Sequence, residues 1–520
     1  MNTEHILRDY VALFNATDEE NVIQTVPNAA AEDWLLARIP RIAIPDTEIE
    51  RTYYFRWWTY RKHVKKTPEG YVISEFHPNV GWSGKYNTIS CASVQHLREG
   101  RWLRENRFLD DYIHFWYSDG GVHLHDYSNA FESAIELLAE TRGDDTGMDL
   151  IDKMLGSYRL WQRDQQGSLG LYWSNDGRDG SEFSVSGSGL RVTLNCYQYA
   201  NARAIAKMAE RKGRQELADE MNREADTLYQ LINKYLWDEK LRFYVTMPQK
   251  EPKSEPYEAE NQHVRELFGY LPWVFDVAMP GRTEGFRQLL DPQGFAGKVG
   301  PTTAERRHEG YGVFYTGEEL NRWLEKRGEN PLGPDGHECL WNGPSWPFVT
   351  AWMLTAVADL LAGNEIQNDI DKKDYLTLLH QYAACHKRKL DDGRVIPWID
   401  ENFDPDTGEW IARKRLMNWG GKCFPEDKGG YERGKDYNHS TFCDLVLEGL
   451  FGLHVGWDEL RITPLFPETW EYAILEDVSV HGRSISVYYD REEGYKVQLA
   501  GKTVFVSSTP NSYTIRWREN

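Results

Sequence analysis

Paired cysteines are missing from this chain of 520 residues. Its six cysteines are scattered, and no two of them form a Cys-x-x-Cys pair. They are Cys91, Cys196, Cys339, Cys385, Cys423 and Cys443. This spacing excludes a dense disulfide framework and indicates no structural zinc site. Because most of them lie in apolar helical patterns, we expect buried free thiols.

Long apolar runs and concentrated positive charge are also missing. No stretch approaches the about 18 apolar residues of a membrane span, and the N-terminus lacks the basic start and apolar core of a signal peptide. Lys and Arg number 60 against 81 Asp and Glu, a formal net charge of −21. Such a surface disfavours nucleic acid and anionic membranes as partners. The sequence therefore predicts a cytoplasmic protein, and it leaves open whether the protein is a homo-oligomer.

Aromatic residues, by contrast, are abundant. They make up 13% of the chain and include 20 Trp and 29 Tyr. Many must serve the core, but Trp also packs well on the apolar face of a sugar ring. The excess favours a carbohydrate ligand.

Helical patterns recur from about residue 52 to residue 453. The clearest cover 193–212 and 215–237, where apolar residues return every three to four positions; another covers 261–278 and a weaker one covers 282–290. Roughly a dozen helices in consecutive pairs, with alternating short and long links and no fixed sequence period, indicate a closed (α/α)6 toroid rather than an open repeat array. We predict a mainly α fold of this type.

The texture changes near residue 458. Short runs rich in Val, Ile and Tyr, several with period-2 alternation, predict a small antiparallel β module. We therefore divide the chain into an N-terminal helical arm (1–50), a helical barrel (51–457) and a β module (458–520) that packs on the barrel.

The central stretch of the barrel, from Gly170 to Gly189, is too rich in Gly and Ser for a regular helix or strand. It carries the acids Asp176, Asp179 and Glu182 and the candidate sugar-contacting residues Tyr172, Trp173 and Arg178. A polar loop of acids and aromatics held between helices fits a glycosidase site. Turn formation by the Asp and Gly residues is the alternative.

Three further links carry unusual residues. Candidate substrate-binding residues in them are Trp82, Trp341, Asn342, Trp346, Trp398, Tyr437 and His439. The link that contains Trp398 also contains Glu401. An inverting glycosidase needs one protonated and one ionised carboxyl, roughly 6.5–9.5 Å apart across the sugar. Asp179 and Glu401 fit such a pair, and we expect apolar packing around Asp179 and hydrogen bonds holding Glu401 ionised.

Taken in order, the segments GRDGSE, LWNGPSWPF and ENFDPDTGEW resemble a clan of glycoside hydrolases. This clan includes family 63 α-glucosidases, family 37 trehalases and mannosylglycerate hydrolases. The resemblance covers roughly residues 80–455 and implies an (α/α)6 barrel, inversion at the anomeric carbon, and neither metal nor organic cofactor. It implies that Asp179 is the general acid and Glu401 the general base.

One departure concerns the acid loop, where the family 63 pattern Asp-Asn-Ser-Pro is replaced by a segment ending in Glu182. Glu182 is therefore an alternative acid, and Glu338 and Glu409 are alternative bases.

The function predicted from these segments is an inverting, exo-acting glycoside hydrolase that cleaves a small oligosaccharide or glycoside, with an α-glucoside favoured. An inverting phosphorylase on the same scaffold is one alternative, and a sugar epimerase or lyase using Tyr437 and His439 is another. A carbohydrate-binding protein without catalysis is the remaining alternative.

Overall fold

The computed structural model of this chain describes residues 2–118, 122–257, 263–332, 339–363, 366–417 and 422–517. In these ranges the α-helices are Thr3–Thr17, Ala31–Arg38, Thr47–His63, Ser93–Gly100, Arg107–Trp116, Phe131–Arg142, Ile151–Gln165, Val192–Arg211, Gln215–Tyr235, Leu271–Val274, Gly317–Lys326, Pro347–Ala362, Lys372–Ala384 and Ile411–Met417. The two long helices predicted at 193–212 and 215–237 are confirmed. Gly213, at φ +70°, ends the first of them, as a left-handed glycine cap should.

The inner helices form a closed ring. In order of contact they are Thr47–His63, Lys372–Ala384, Pro347–Ala362, Leu271–Val274, Val192–Arg211, Phe131–Arg142 and Ser93–Gly100. The ring closes where the Tyr60 hydroxyl donates to the His96 carbonyl at 2.8 Å. The helices Ile151–Gln165 and Gln215–Tyr235 pack outside it, against Val192–Arg211. The predicted toroid is thereby confirmed.

The predicted helix at 261–278 is largely wrong. The structure has a 3-10 turn, Leu267–Tyr270, followed by the single helical turn Leu271–Val274. Gly269 packs so closely on the segment at Phe243 that a Cβ at position 269 would lie 2.1 Å from the Phe243 ring. This long-range contact fixes the conformation of the segment. The helix Gly317–Lys326 was missed, although its capping box of Thr316 and Glu319 was visible in the sequence.

A helical segment that packs on Pro347–Ala362 takes an unusual form. Leu445–Leu450 is a π-helix, and the backbone N–H groups of Phe442, Cys443 and Asp444 all donate to the buried carboxylate of Glu99. The carboxylate satisfies donors that an isolated helix start leaves unpaired. This contact joins the segment to the helix Ser93–Gly100.

The C-terminal sheet module is present. Its strands are Leu453–Val455, Glu459–Ile462, Tyr472–Val480, Arg483–Asp490, Gly494–Leu499, Lys502–Ser507 and Tyr513–Arg516. Arg41–Ala43, from the predicted arm, pairs antiparallel with Tyr472–Val480 and forms the edge of the five-stranded sheet. One apolar cluster, containing Leu354, Leu447 and Val487, runs from the ring into this module.

Among the described residues, no helix combines the length and apolar character needed to cross a bilayer.

Candidate active site

A cavity of about 200 Å³ lies where the long links of the ring converge. Seven of the residues predicted from sequence line it: Trp82, Glu182, Trp341, Trp346, Glu401, Tyr437 and His439. Two carboxyl groups that are distant in sequence therefore share one pocket, as an acid and base pair requires. They are those of Glu182 and Glu401.

The loop 170–189 is closed at its ends by two hydrogen bonds between Ser174 and Gly189, of 2.9 and 3.0 Å. The fully buried guanidinium of Arg191 holds the residues inside this loop together by hydrogen bonds. It donates to the side chains of Asp179, Ser181 and Ser184. These contacts fix the conformation of an irregular segment that lacks the regular backbone hydrogen bonds of a helix or a sheet.

Asp179 lies behind the cavity wall. Its side chain is fully buried and accepts from Arg191 and from the Thr193 hydroxyl, and it does not line the cavity. The expected apolar surroundings are replaced by an ion pair. Glu182, three residues further on, does line the cavity, and its carbonyl accepts from the Trp341 backbone N–H at 3.1 Å. That bond joins the loop 170–189 to the segment from Trp341 to Trp346.

Gly180 forms part of the cavity wall and has a φ of +64°. A Cβ there would lie 2.6 Å from the Cys91 sulfur, so both strain and a clash oppose any larger residue. We expect Gly180→Ala to lower the free energy of unfolding by about 2 kcal/mol, measured by denaturant titration. Gly328→Ala is the control: its φ is +75° but nothing lies within 4 Å of its Cβ position. Equal losses in both variants would refute the clash.

Glu401 lies at the other side of the pocket and is 1% exposed. Its Oε1 accepts from Arg433 Nε at 2.8 Å, and its backbone N–H donates to Asp400 at 2.9 Å. Asp400 is itself paired with Arg413 at 2.5 Å. A buried guanidinium beside Glu401 favours the ionised carboxylate, the form that a general base needs.

The walls of the cavity are aromatic. Trp341 and Trp346 are stacked with ring centroids 4.2 Å apart, and the rings of Tyr437 and His439 are 3.8 Å apart. Trp341 Nε1 is buried without a hydrogen-bond partner among the described residues, whereas the His439 ring lies within reach of a backbone group of Glu401. Burial, with Arg56 and His96 nearby, lowers the pKa of His439 well below its usual value. Buried polar groups left unpaired in a cavity indicate a ligand that pairs with them.

Six residues predicted for the site do not line the cavity: Asp179, Tyr172, Trp173, Arg178, Asn342 and Trp398. Most support the loops instead. Trp173 Nε1 donates to the Gln249 carbonyl at 2.8 Å, and the Arg178 guanidinium donates to the His125 carbonyl. The Trp398 ring lies between Arg388 and Arg413.

The alternative bases are placed as follows. Glu409 is exposed, pairs with Lys414 and does not line this cavity. Glu338 lies outside the described residues.

A third carboxyl group of the cavity, that of Glu75, was missed. It follows the short strand Gly70–Ile73 and carries no motif around it. Its Oε1 accepts from the Tyr437 hydroxyl at 2.5 Å. Burial raises the pKa of Glu75 to about 8; the Tyr437 hydrogen bond lowers it, and the carboxylates of Glu401 and Glu182 raise it. Arg433, which pairs with Glu401, was missed for the same reason: a single residue in a polar link gives no sequence signal.

A ring of paired helices, with a carboxyl-lined and aromatic-walled pocket at the ends of its links, defines the class of helical-barrel glycoside hydrolases. Comparison with known families agrees. The model of the mannosylglycerate hydrolase MGH1-like glycoside hydrolase domain matches residues 85–440. This chain belongs to that family.

Among solved structures, one named sialidase matches with a TM-score of 0.85 and 32% identity, covering 99% of this chain and 44% of its own. This chain therefore spans less than half of that protein's length. The α-L-rhamnosidase of Streptomyces avermitilis, complexed with L-rhamnose, matches with a TM-score of 0.49 and 11% identity, over 89% of this chain and 37% of its own. The family 63 mannosylglycerate hydrolase of Thermus thermophilus, in complex with glucose, matches with a TM-score of 0.44 and 13% identity, over 72% of this chain and 96% of its own. A search of curated proteins finds no match.

Proposed function

We propose that this protein is an inverting, exo-acting glycoside hydrolase that cleaves a neutral pyranoside, with an α-glucoside as the first candidate. The observation that carries the proposal is the pocket shared by Glu182 and Glu401. Its aromatic walls and the unpaired Trp341 Nε1 support a sugar as the ligand.

The roles follow from the environments of the two carboxyl groups. Glu401, bonded to Arg433, is the general base that activates water. Glu182 is the general acid, in place of Asp179, because a proton donor must reach the glycosidic oxygen within hydrogen-bond distance. Asp179 does not line the pocket and accepts from Arg191 and Thr193 through one carboxylate oxygen, and its proposed role is to hold the acid loop.

The charge of the pocket favours a neutral sugar. Among its described lining residues, Arg433 is the cationic one, and it is paired with Glu401. Glu75, Glu182 and Glu401 also face the pocket, so an anionic sugar meets carboxyl groups without a cation to pair with it. The same argument disfavours an inverting phosphorylase, since a phosphate needs charged donors around it.

The test is a panel of p-nitrophenyl glycosides: α-glucoside, α-mannoside, α-L-rhamnoside and the α-sialoside. We expect hydrolysis of a neutral glycoside without added phosphate, and proton NMR is expected to show the inverted anomer of the sugar as the first product. Preferred turnover of the sialoside would overturn the substrate class, and a retained anomer would overturn the mechanism. No turnover of any glycoside of the panel, the sialoside included, would overturn the hydrolase assignment.

A further inference from the structure

Glu75 is a pocket residue that the proposed acid and base chemistry does not use. It is 4% exposed, and it lines the same cavity as Glu182 and Glu401. Three carboxyl groups in one small pocket exceed the two that inverting hydrolysis requires. A buried carboxyl group is costly to keep unless it has a task or a partner.

The backbone around Glu75 is held rigidly. The Asn438 backbone N–H donates to the Glu75 carbonyl at 3.0 Å, and the Asn438 side chain donates to the Ser74 carbonyl at 3.3 Å. The Ser74 N–H in turn donates to the His63 carbonyl at 3.1 Å. The side chain therefore has a fixed position beside Tyr437, whose hydroxyl donates to it, as a substrate contact requires.

The groups around the carboxyl determine its form. Glu182 and Glu401 act on it from two other segments, and Arg433 is the cation that faces it. Cys91 and Tyr127 also lie within electrostatic reach. With its pKa raised to about 8, Glu75 is protonated at neutral pH. A protonated carboxyl offers one O–H donor and keeps acceptor capacity.

We propose that Glu75 is a substrate-binding residue, whose neutral carboxyl group donates a hydrogen bond to a hydroxyl of the bound sugar while Tyr437 occupies its other oxygen. This inference rests on the proposed function only in taking a neutral sugar as the ligand of the cavity. A neutral donor holds a sugar hydroxyl without adding a third negative charge beside Glu182 and Glu401.

The test is direct binding, independent of turnover. D-glucose, D-mannose and L-rhamnose are titrated calorimetrically into the wild type, Glu75→Gln and Glu75→Leu. We expect Glu75→Leu to weaken binding about tenfold, the value of one buried hydrogen bond, and Glu75→Gln to keep affinity within about threefold. Glu210→Gln, on an exposed helix face, is the matched control and should bind as the wild type does.

The pH dependence gives a second readout. Wild-type affinity is expected to fall as the pH rises through about 8, whereas affinity of Glu75→Gln stays flat. Between the usual carboxyl pKa and the raised value, the folded wild type binds more protons than the unfolded chain, so its stability falls as pH rises. The melting temperature of Glu75→Gln relative to wild type is therefore expected to increase with pH.

Wild-type affinity in Glu75→Leu would overturn the inference, and so would a wild-type pH dependence in Glu75→Gln. Failure of all three sugars to bind the wild type would also count against it. Sugar binding that needs Glu75, in a protein that hydrolyses no glycoside of the panel, would support Glu75 and overturn the proposed hydrolase function.

Discussion

Glu401→Gln is expected to lower kcat of the folded protein about 10³-fold with little change in KM, and to lower the melting temperature because it removes the charge paired with the buried Arg433 guanidinium. The amide keeps the shape of the side chain and still accepts from Arg433 Nε, but it cannot take a proton from water. Loss of base catalysis acts in the transition state, so kcat falls while ground-state binding remains. Steady-state kinetics on the best neutral glycoside of the panel measure the effect.

Azide sharpens this experiment. An anionic nucleophile that needs no deprotonation replaces the activated water, so sodium azide is expected to restore turnover of Glu401→Gln and to give a glycosyl azide. Glu409→Gln is the matched control, since Glu409 pairs with Lys414 outside the cavity, and it should retain wild-type kcat. Full activity of Glu401→Gln, or a large loss in Glu409→Gln, would move the base to another residue.

The ring of helices could be predicted because the sequence signals that define each helix lie within that helix or next to its ends. Apolar spacing and the Lys212-Gly213 stop define the long helices without reference to the rest of the fold. The segment from Trp341 to Trp346 and the segment at Glu401 could also be predicted, since each carries several unusual residues together. In the structure they are joined by paired hydrogen bonds between Ser345 and Phe403.

What could not be predicted depends on contacts between distant segments. The proposal of Glu182 rather than Asp179 as the acid rests on Arg191, whose burial and contacts no spacing reveals. Glu75 reaches the cavity because Asn438, far along the chain, holds its backbone. The strand Arg41–Ala43 lies in the segment predicted as a helical arm, and it could not be predicted because its partner, Tyr472–Val480, lies near the other end of the chain.

Glu182→Gln and Asp179→Asn are expected to fail in different ways, which separates a proton donor from a structural acid. Glu182→Gln should keep the wild-type melting temperature and lose about 10³-fold in kcat on a glycoside with a poor leaving group. On a glycosyl fluoride or a dinitrophenyl glycoside the loss should be small, because those leaving groups depart without a proton. Kinetics across a series of leaving groups measure this difference.

Asp179→Asn should instead destabilise the protein, because it leaves the fully buried Arg191 guanidinium without its charged partner. Removing one partner of a buried pair costs about 3–5 kcal/mol, which thermal and denaturant unfolding measure. The folded fraction should show the leaving-group dependence of the wild type, because the proton still comes from Glu182. If Asp179→Asn melts as the wild type does and is rescued by good leaving groups, Asp179 is the acid. Arg191 would then have to release it towards the cavity when the sugar binds.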